Sequence, residues 1–149
     1  MVSSSGYLIS VGYGGRRITK FIELLMRNDV EVVVDVRLTP VTRVPGFSGA
    51  ALARSLPIVG IEYIHEPRLG NPVENRGAFR SGAIDVGCAR FSSILESSGR
   101  AALADLVARA QCQRVAVLCA ERSHYHCHRQ LIVSAAQQLS PGLTVTVLG

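Results

Sequence analysis

The sequence predicts an α/β fold: a single Rossmann-like domain on a mostly parallel sheet of about five strands, flanked by helices. Three observations carry that prediction. Short apolar, β-branched runs alternate with segments whose apolar residues recur at helical spacing, the pattern of successive βα units. The run Val30–Val36, VEVVVDV, is nearly continuous in apolar residues, as expected of a strand covered on both faces. Finally, 149 residues at 48% hydrophobic content are enough to bury a core without disulfides or metal.

The elements follow in chain order. Tyr7–Val11 is a short apolar strand that runs into Gly12-Tyr13-Gly14-Gly15, a tight turn. Ile18, Phe21, Ile22, Leu24 and Leu25 then fall at helical spacing. After the Val30–Val36 strand comes the loop RLTPVTRVPGFSG, followed by a short helix over Ala50–Leu56 that stops before Pro57. Ile61–His65 reads as a third strand. Residues 66–87 are rich in Gly, Pro, Asn and Arg and show no period, so a long functional loop is expected there. Phe91–Glu96 and Arg100–Ala110 read as helices, the second with an apolar stripe of Ala102, Leu103, Leu106, Val107 and Ala110. Arg114–Cys119 is the fourth strand, Cys127–Leu139 a helix and Leu143–Leu148 the fifth strand. No internal repeat or linker interrupts this order.

Charge and hydropathy exclude several classes. No apolar run approaches the roughly 18–20 residues of a membrane-spanning helix. The first ten residues, MVSSSGYLIS, lack the basic and long apolar regions of a secretory signal. A cytoplasmic protein without a membrane partner is expected. The net charge of +5 and a pI near 9.4 favour anionic partners without distinguishing an anionic small molecule or nucleotide from nucleic acid. Of the 16 basic residues only Lys20 is lysine, so anion contacts would be made by guanidinium forks. Oligomeric state is not legible.

In a parallel α/β sheet, ligands bind outside the carboxyl ends of the strands. The groups expected on that rim are Gly12, Tyr13 and Gly14 after the first strand, Asp35 and Arg37 after the second, and His65 after the third. Cys119 and Glu121 follow the fourth, and Cys127, His128 and Arg129 open the last helix. The glycine turn suits either a tight βα connection or backbone N–H groups approaching an anion. Asp35 and Arg37, two residues apart, face the same way and suit either a structural ion pair or an anion-binding role.

The stretch VAVLCAERSHYHCHR at 115–129 holds two of the four cysteines and three of the four histidines. A cysteine between a strand and a helix meets backbone dipoles that lower its pKa, and Cys119 and Cys127 both qualify. A small, inert, buried thiol is the alternative for Cys119. The spacing between them matches neither a zinc knuckle nor a redox C-x-x-C. Cys119, His124, His126, Cys127 and His128 could supply a zinc site, but adjacent His126, Cys127 and His128 cannot all serve one tetrahedral ion comfortably, so zinc is kept as the lesser alternative and no metal ligand is assigned. His124 and His126 read as solvated loop residues.

These motifs make the chain recognisable. ISVGYGG at 9–15, VVVDVRLTP at 32–40, PGFSGAAL at 45–52, GIEYIHEPRLG at 60–70 and VAVLCAERSHYHCHRQLI at 115–132 resemble the uncharacterised family called domain of unknown function 488. The signature is C-A-E, five residues, then C-H-R. The resemblance implies a small Rossmann-like α/β domain with shared polar residues on one rim, and it supplies no reaction and no cofactor. The positions it carries over are Gly12, Tyr13, Gly14, Asp35, Arg37, Pro40, His65, Leu69, Gly70, Cys119, Glu121, Cys127, His128 and Arg129. The chain departs from the family pattern at Arg68-Leu69-Gly70-Asn71, where a double glycine is usual, and at its Leu148-Gly149 end. A weaker similarity links VVVDVR and VAVLC to rhodanese-type domains and related phosphatases, but Cys-x5-Arg does not occur because position 125 is Tyr.

The expectation is an enzyme acting on a phosphorylated or nucleotide-like anion. Cys119, Glu121, Cys127 and His128 would carry the chemistry, while Gly12, Tyr13, Gly14, Asp35, Arg37, His65 and Arg129 bind the substrate. The alternative is a non-catalytic nucleotide or nucleic-acid module, with Cys119 and Cys127 as a redox-responsive pair.

Overall fold

A computed structural model describes residues 6–148, with the side chain of His126 left out. Residues 1–5, read above for a leader, and the terminal Gly149 lie outside the described residues.

Five strands form one all-parallel sheet in the order β3-β2-β4-β1-β5. They are β1 (Tyr7–Gly12), β2 (Val32–Asp35), β3 (Glu62–His65), β4 (Arg114–Cys119) and β5 (Thr144–Leu148). The helices are α1 (Ile18–Arg27), α2 (Gly49–Ser55), α3 (Val73–Arg80), α4 (Ile84–Glu96), α5 (Arg100–Cys112) and α6 (Arg129–Leu139). Strand side chains alternate between two cores, as the pleat requires. Leu8, Val32, Val34, Val115 and Val117 pack against Phe91 and Leu95 of α4, Leu103 and Leu106 of α5, and Ile132 of α6. Ile9, Val11, Val33, Ala116 and Leu118 face Phe21 and Leu25 of α1 and Leu52 of α2. The continuous valine run of β2 therefore reflects burial on both faces.

This layout fixes the rim. The connections β1-α1-β2 and β2-α2-β3 step towards one edge over one face, and β3 to β4 and β4-α6-β5 step back over the other. That reversal of direction is what right-handed crossovers impose. It opens a crevice beside central β4, where Gly12 pairs with Cys119 in register and Asp35 pairs with Leu118.

One expectation is corrected. Residues 66–87 are not a long loop: a 3₁₀ turn at Pro67–Leu69 leads into α3, and α4 already begins at Ile84. The apolar period is missing because α3 buries only Asn75 and Phe79. Asn75 Nδ2 donates to Asn71 Oδ1 (2.9 Å) and to the Gly87 carbonyl (3.0 Å), so a polar residue does the anchoring. Gly87 has no Cβ, and one added there would sit 2.8 Å from the Phe79 ring, which explains how closely α3 and α4 approach.

Candidate active site

Asp35 ends β2 fully buried and holds four donors. Arg37 donates to it through Nε (2.9 Å to Oδ1), Nη2 (2.6 Å to Oδ2) and its backbone N–H (3.1 Å), and the Tyr63 hydroxyl donates at 2.6 Å. Arg37 Nη1 donates to the Phe47 carbonyl at 2.7 Å, and the guanidinium lies 5.3 Å from the Tyr13 ring centre. Tyr13 itself stacks on Phe47 at 4.4 Å. Burial and the hydrogen bond to Asp35 push the Tyr63 hydroxyl well above its ordinary range. Every nitrogen of the Arg37 fork is engaged, so this constellation is an ion pair that shapes the cavity wall.

The glycine turn is also occupied. The N–H groups of Tyr13 and Gly14 donate to the carbonyls of Cys119 (3.2 Å) and Ala120 (2.9 Å). A Cβ on Gly12 would overlap the Glu121 carbonyl, and one on Gly14 would lie 2.9 Å from that of Ala120. The glycines admit the strand-end segment 119–122, and the N–H groups of Tyr13 and Gly14 already have acceptors. His65 stands outside the cavity, its Nε2 donating to the Arg37 carbonyl at 2.8 Å. It steadies the turn after β2.

A cavity of about 150 Å³ opens at the crevice. Its floor is Cys119, Cys127 and His128, and its walls include Tyr13, Arg37 and Glu121. Asn71, Arg76 and Arg80 reach it from the segment expected to be a loop. Arg76 and Arg80 are one helical turn apart, the spacing that puts two residues on one helix face. Arg80 also lies 3.5 Å from the Glu121 carboxylate, and Arg76 Nε donates to the Asn71 carbonyl at 3.1 Å. Sequence reasoning missed both arginines because it assigned no helix there.

Beneath the floor lies Arg129, fully buried. Its Nη2 donates to the Glu121 and Arg122 carbonyls, while Nε and Nη1 have no hydrogen-bond partner. A buried guanidinium needs a counter-charge, and no carboxylate pairs with it among the described residues. The Cys127 sulfur is the group that answers it. Burial alone would raise the Cys127 thiol. The hydrogen bond from Cys119, the charge of Arg129 and the backbone N–H of Arg129 outweigh burial and bring the pKa down to about 7. Cys119 moves the opposite way: its hydrogen bond to Cys127 and its burial hold its thiol well above the ordinary range. The two thiols are both free and both buried, yet they are chemically unlike.

His128 completes the floor. Its Nε2 donates to the Val36 carbonyl (3.2 Å), which can only accept, so Nδ1 faces Cys127 Sγ at 3.5 Å. The ring packs edge-on against Phe91 at 4.9 Å, which fixes its plane.

His124 is a second correction. Expected in solvent, it is 8% exposed, and its Nδ1 lies 2.7 Å from the Ser10 hydroxyl. Ser10 is a polar residue in the middle of a buried strand and needs a partner, so the loop after β4 folds inward to supply one. Burial and the charge of Arg129 lower the His124 pKa.

Cys119 Sγ, Cys127 Sγ and a His128 nitrogen lie within 4.8 Å of one another, close enough to share a soft metal ion. With no ion bound, a thiolate on Cys127 offers the charge of Arg129 a counter-charge. Arg16, whose pKa is lowered by burial and by nearby Arg122 and Arg129, adds to a positive surround that favours an anion.

The family model for the domain of unknown function DUF488 matches residues 17–136. The chain belongs to the DUF488 family. The matched span contains every site residue of this DUF488 chain except Gly12, Tyr13 and Gly14, which precede it. No curated protein and no solved structure matches it. Among the described residues no helix is long and apolar enough to cross a membrane.

Proposed function

We propose that this DUF488 protein is an enzyme whose nucleophile is the Cys127 thiolate and whose substrate is a phosphorylated or nucleotide-like anion. One observation carries the reading: Arg129 is buried with two nitrogens lacking any hydrogen-bond partner, and its charge acts on Cys127, a cysteine that lines the cavity two residues before it. A guanidinium so placed keeps a sulfur ionised and reactive. Arg76 and Arg80 at the mouth supply the forks that would draw the anion in.

In this reading the Cys127 sulfur attacks the electrophilic phosphorus or carbonyl, forming a bond to sulfur while the bond to the leaving oxygen breaks. Solvent at the cavity mouth hands the leaving oxygen a proton, and the Glu121 carboxylate on the cavity wall then takes one from the water that releases the sulfur. Arg37 and Asp35 hold the wall rather than the substrate, and His128 orients the sulfur.

The test joins binding and turnover. Calorimetry with nucleoside mono- and diphosphates should show binding that Arg76→Ala or Arg80→Ala weakens about tenfold or more, since a hydrogen bond to a charged group contributes about 1.5–3 kcal/mol. On any ligand that is turned over, Cys127→Ser should abolish turnover. Equal turnover in that variant would sink the reading. Salt-sensitive binding without turnover would instead favour a non-catalytic nucleic-acid module.

A further inference from the structure

Cys119 has no part in that chemistry, yet it shares the cavity floor with Cys127, and their sulfurs lie within 4.8 Å. We propose that Cys119 is the resolving thiol for Cys127, so that a hydroperoxide converts the pair into a Cys119–Cys127 disulfide and reversibly silences the site. The proposal rests on Cys127 being a thiolate, and it extends that reading to regulation.

Geometry supports it in three ways. Both thiols are free and line one cavity that a small oxidant can enter. They sit on different elements, Cys119 ending β4 and Cys127 preceding α6, so bonding them ties the strand end to the helix start. A disulfide has sulfurs about 2.05 Å apart. The two atoms must therefore approach by at most about 2.8 Å, a distance that a change of side-chain rotamer covers. The contrast between the thiols then assigns their order of reaction. The ionised sulfur meets the oxidant, and the protonated one waits beside it.

The steps balance. The Cys127 thiolate attacks hydrogen peroxide, the O–O bond breaks, an S–O bond forms, and the released hydroxide takes a proton from solvent to become water. Cys127 is now a sulfenic acid, oxidised by two electrons. The Cys119 sulfur attacks the Cys127 sulfur, the S–S bond forms, the S–O bond breaks, and the departing hydroxide leaves as water with the Cys119 proton. An external dithiol returns both thiols.

The experiment treats the reduced full chain with hydrogen peroxide and follows intact mass and mapped peptides. The expected result is loss of two hydrogens, a 119–127 cross-linked peptide, and full return with dithiothreitol. Cys119→Ser should instead advance to a sulfinic acid at Cys127 that dithiothreitol does not reverse. Wild-type protein that reaches sulfinic acid as fast as that variant, or that pairs Cys88 or Cys112 instead, overturns the proposal. Should the variant not fold, the wild-type cross-link alone decides. Iodoacetamide labelling of Cys127 in the absence of peroxide tests the underlying thiolate separately, so a reactive Cys127 without a cross-link refutes only this inference.

Discussion

Replacing Arg129 by glutamine removes the positive charge under Cys127 while keeping a side chain of similar reach. Cys127 titrates at about 7 with the charge present. Without it, burial is opposed mainly by the Cys119 hydrogen bond, so the midpoint should rise to about 8.5 or above, the value of an ordinary thiol. That change corresponds to about 2 kcal/mol of lost preference for the thiolate. At pH 7 the ionised fraction falls from about half to about 3%, roughly a sixteenfold loss. A more basic thiolate is intrinsically more nucleophilic, and with a Brønsted slope of about 0.4–0.5 this restores about fivefold. The net rate at pH 7 should fall only about threefold. The midpoint of the alkylation pH profile, with adducts mapped to Cys127, is therefore the telling readout. Arg129→Lys keeps the charge without the fork and should hold the midpoint near 7. A glutamine variant whose midpoint stays near 7 would refute the claim that Arg129 ionises Cys127.

Three further outcomes follow from packing and burial. Gly12→Ala drives a methyl into the Glu121 backbone and should cost about 1–3 kcal/mol in chemical denaturation, because the 119–122 segment cannot retreat from its hydrogen bonds to the glycine turn. Asp35→Asn strands Arg37 in a buried wall and should cost about 3–5 kcal/mol, whereas Tyr63→Phe, which leaves the Arg37 fork intact, should cost about 1 kcal/mol; equal losses would contradict the ion-pair assignment. For His124, whose folded pKa lies below its unfolded one, the unfolded chain binds protons first as pH drops. Stability should decline as pH falls through about 6.5, and His124→Gln should flatten that slope in a denaturation series from pH 8 to 5.

The parallel sheet and the rim were legible because they depend on local pattern. VEVVVDV announces burial on two faces, and the order of strands and helices places 12–15, 35–37 and 119–129 at one end. Where packing is done by polar groups, the pattern is silent. Asn71 and Asn75 anchor α3 through amides, so no apolar stripe marked the helix, and Arg76 and Arg80 went unassigned with it. His124 is buried by Ser10, a residue 114 positions away that no spacing rule connects to it. The choice between Cys119 and Cys127 likewise needed three dimensions, since both end one element and precede another. Their mutual hydrogen bond and the buried charge of Arg129 distinguish them.

Competitive alkylation of the reduced wild-type protein at pH 7, with all four thiols mapped by mass, tests that distinction most directly. Cys127 should label despite being 2% exposed, with a rate that rises to a plateau above about pH 7, while Cys119 beside it stays unlabelled. Labelling of Cys119 first, or labelling of Cys127 that climbs only above about pH 8.5 as for an ordinary thiol, would contradict the account.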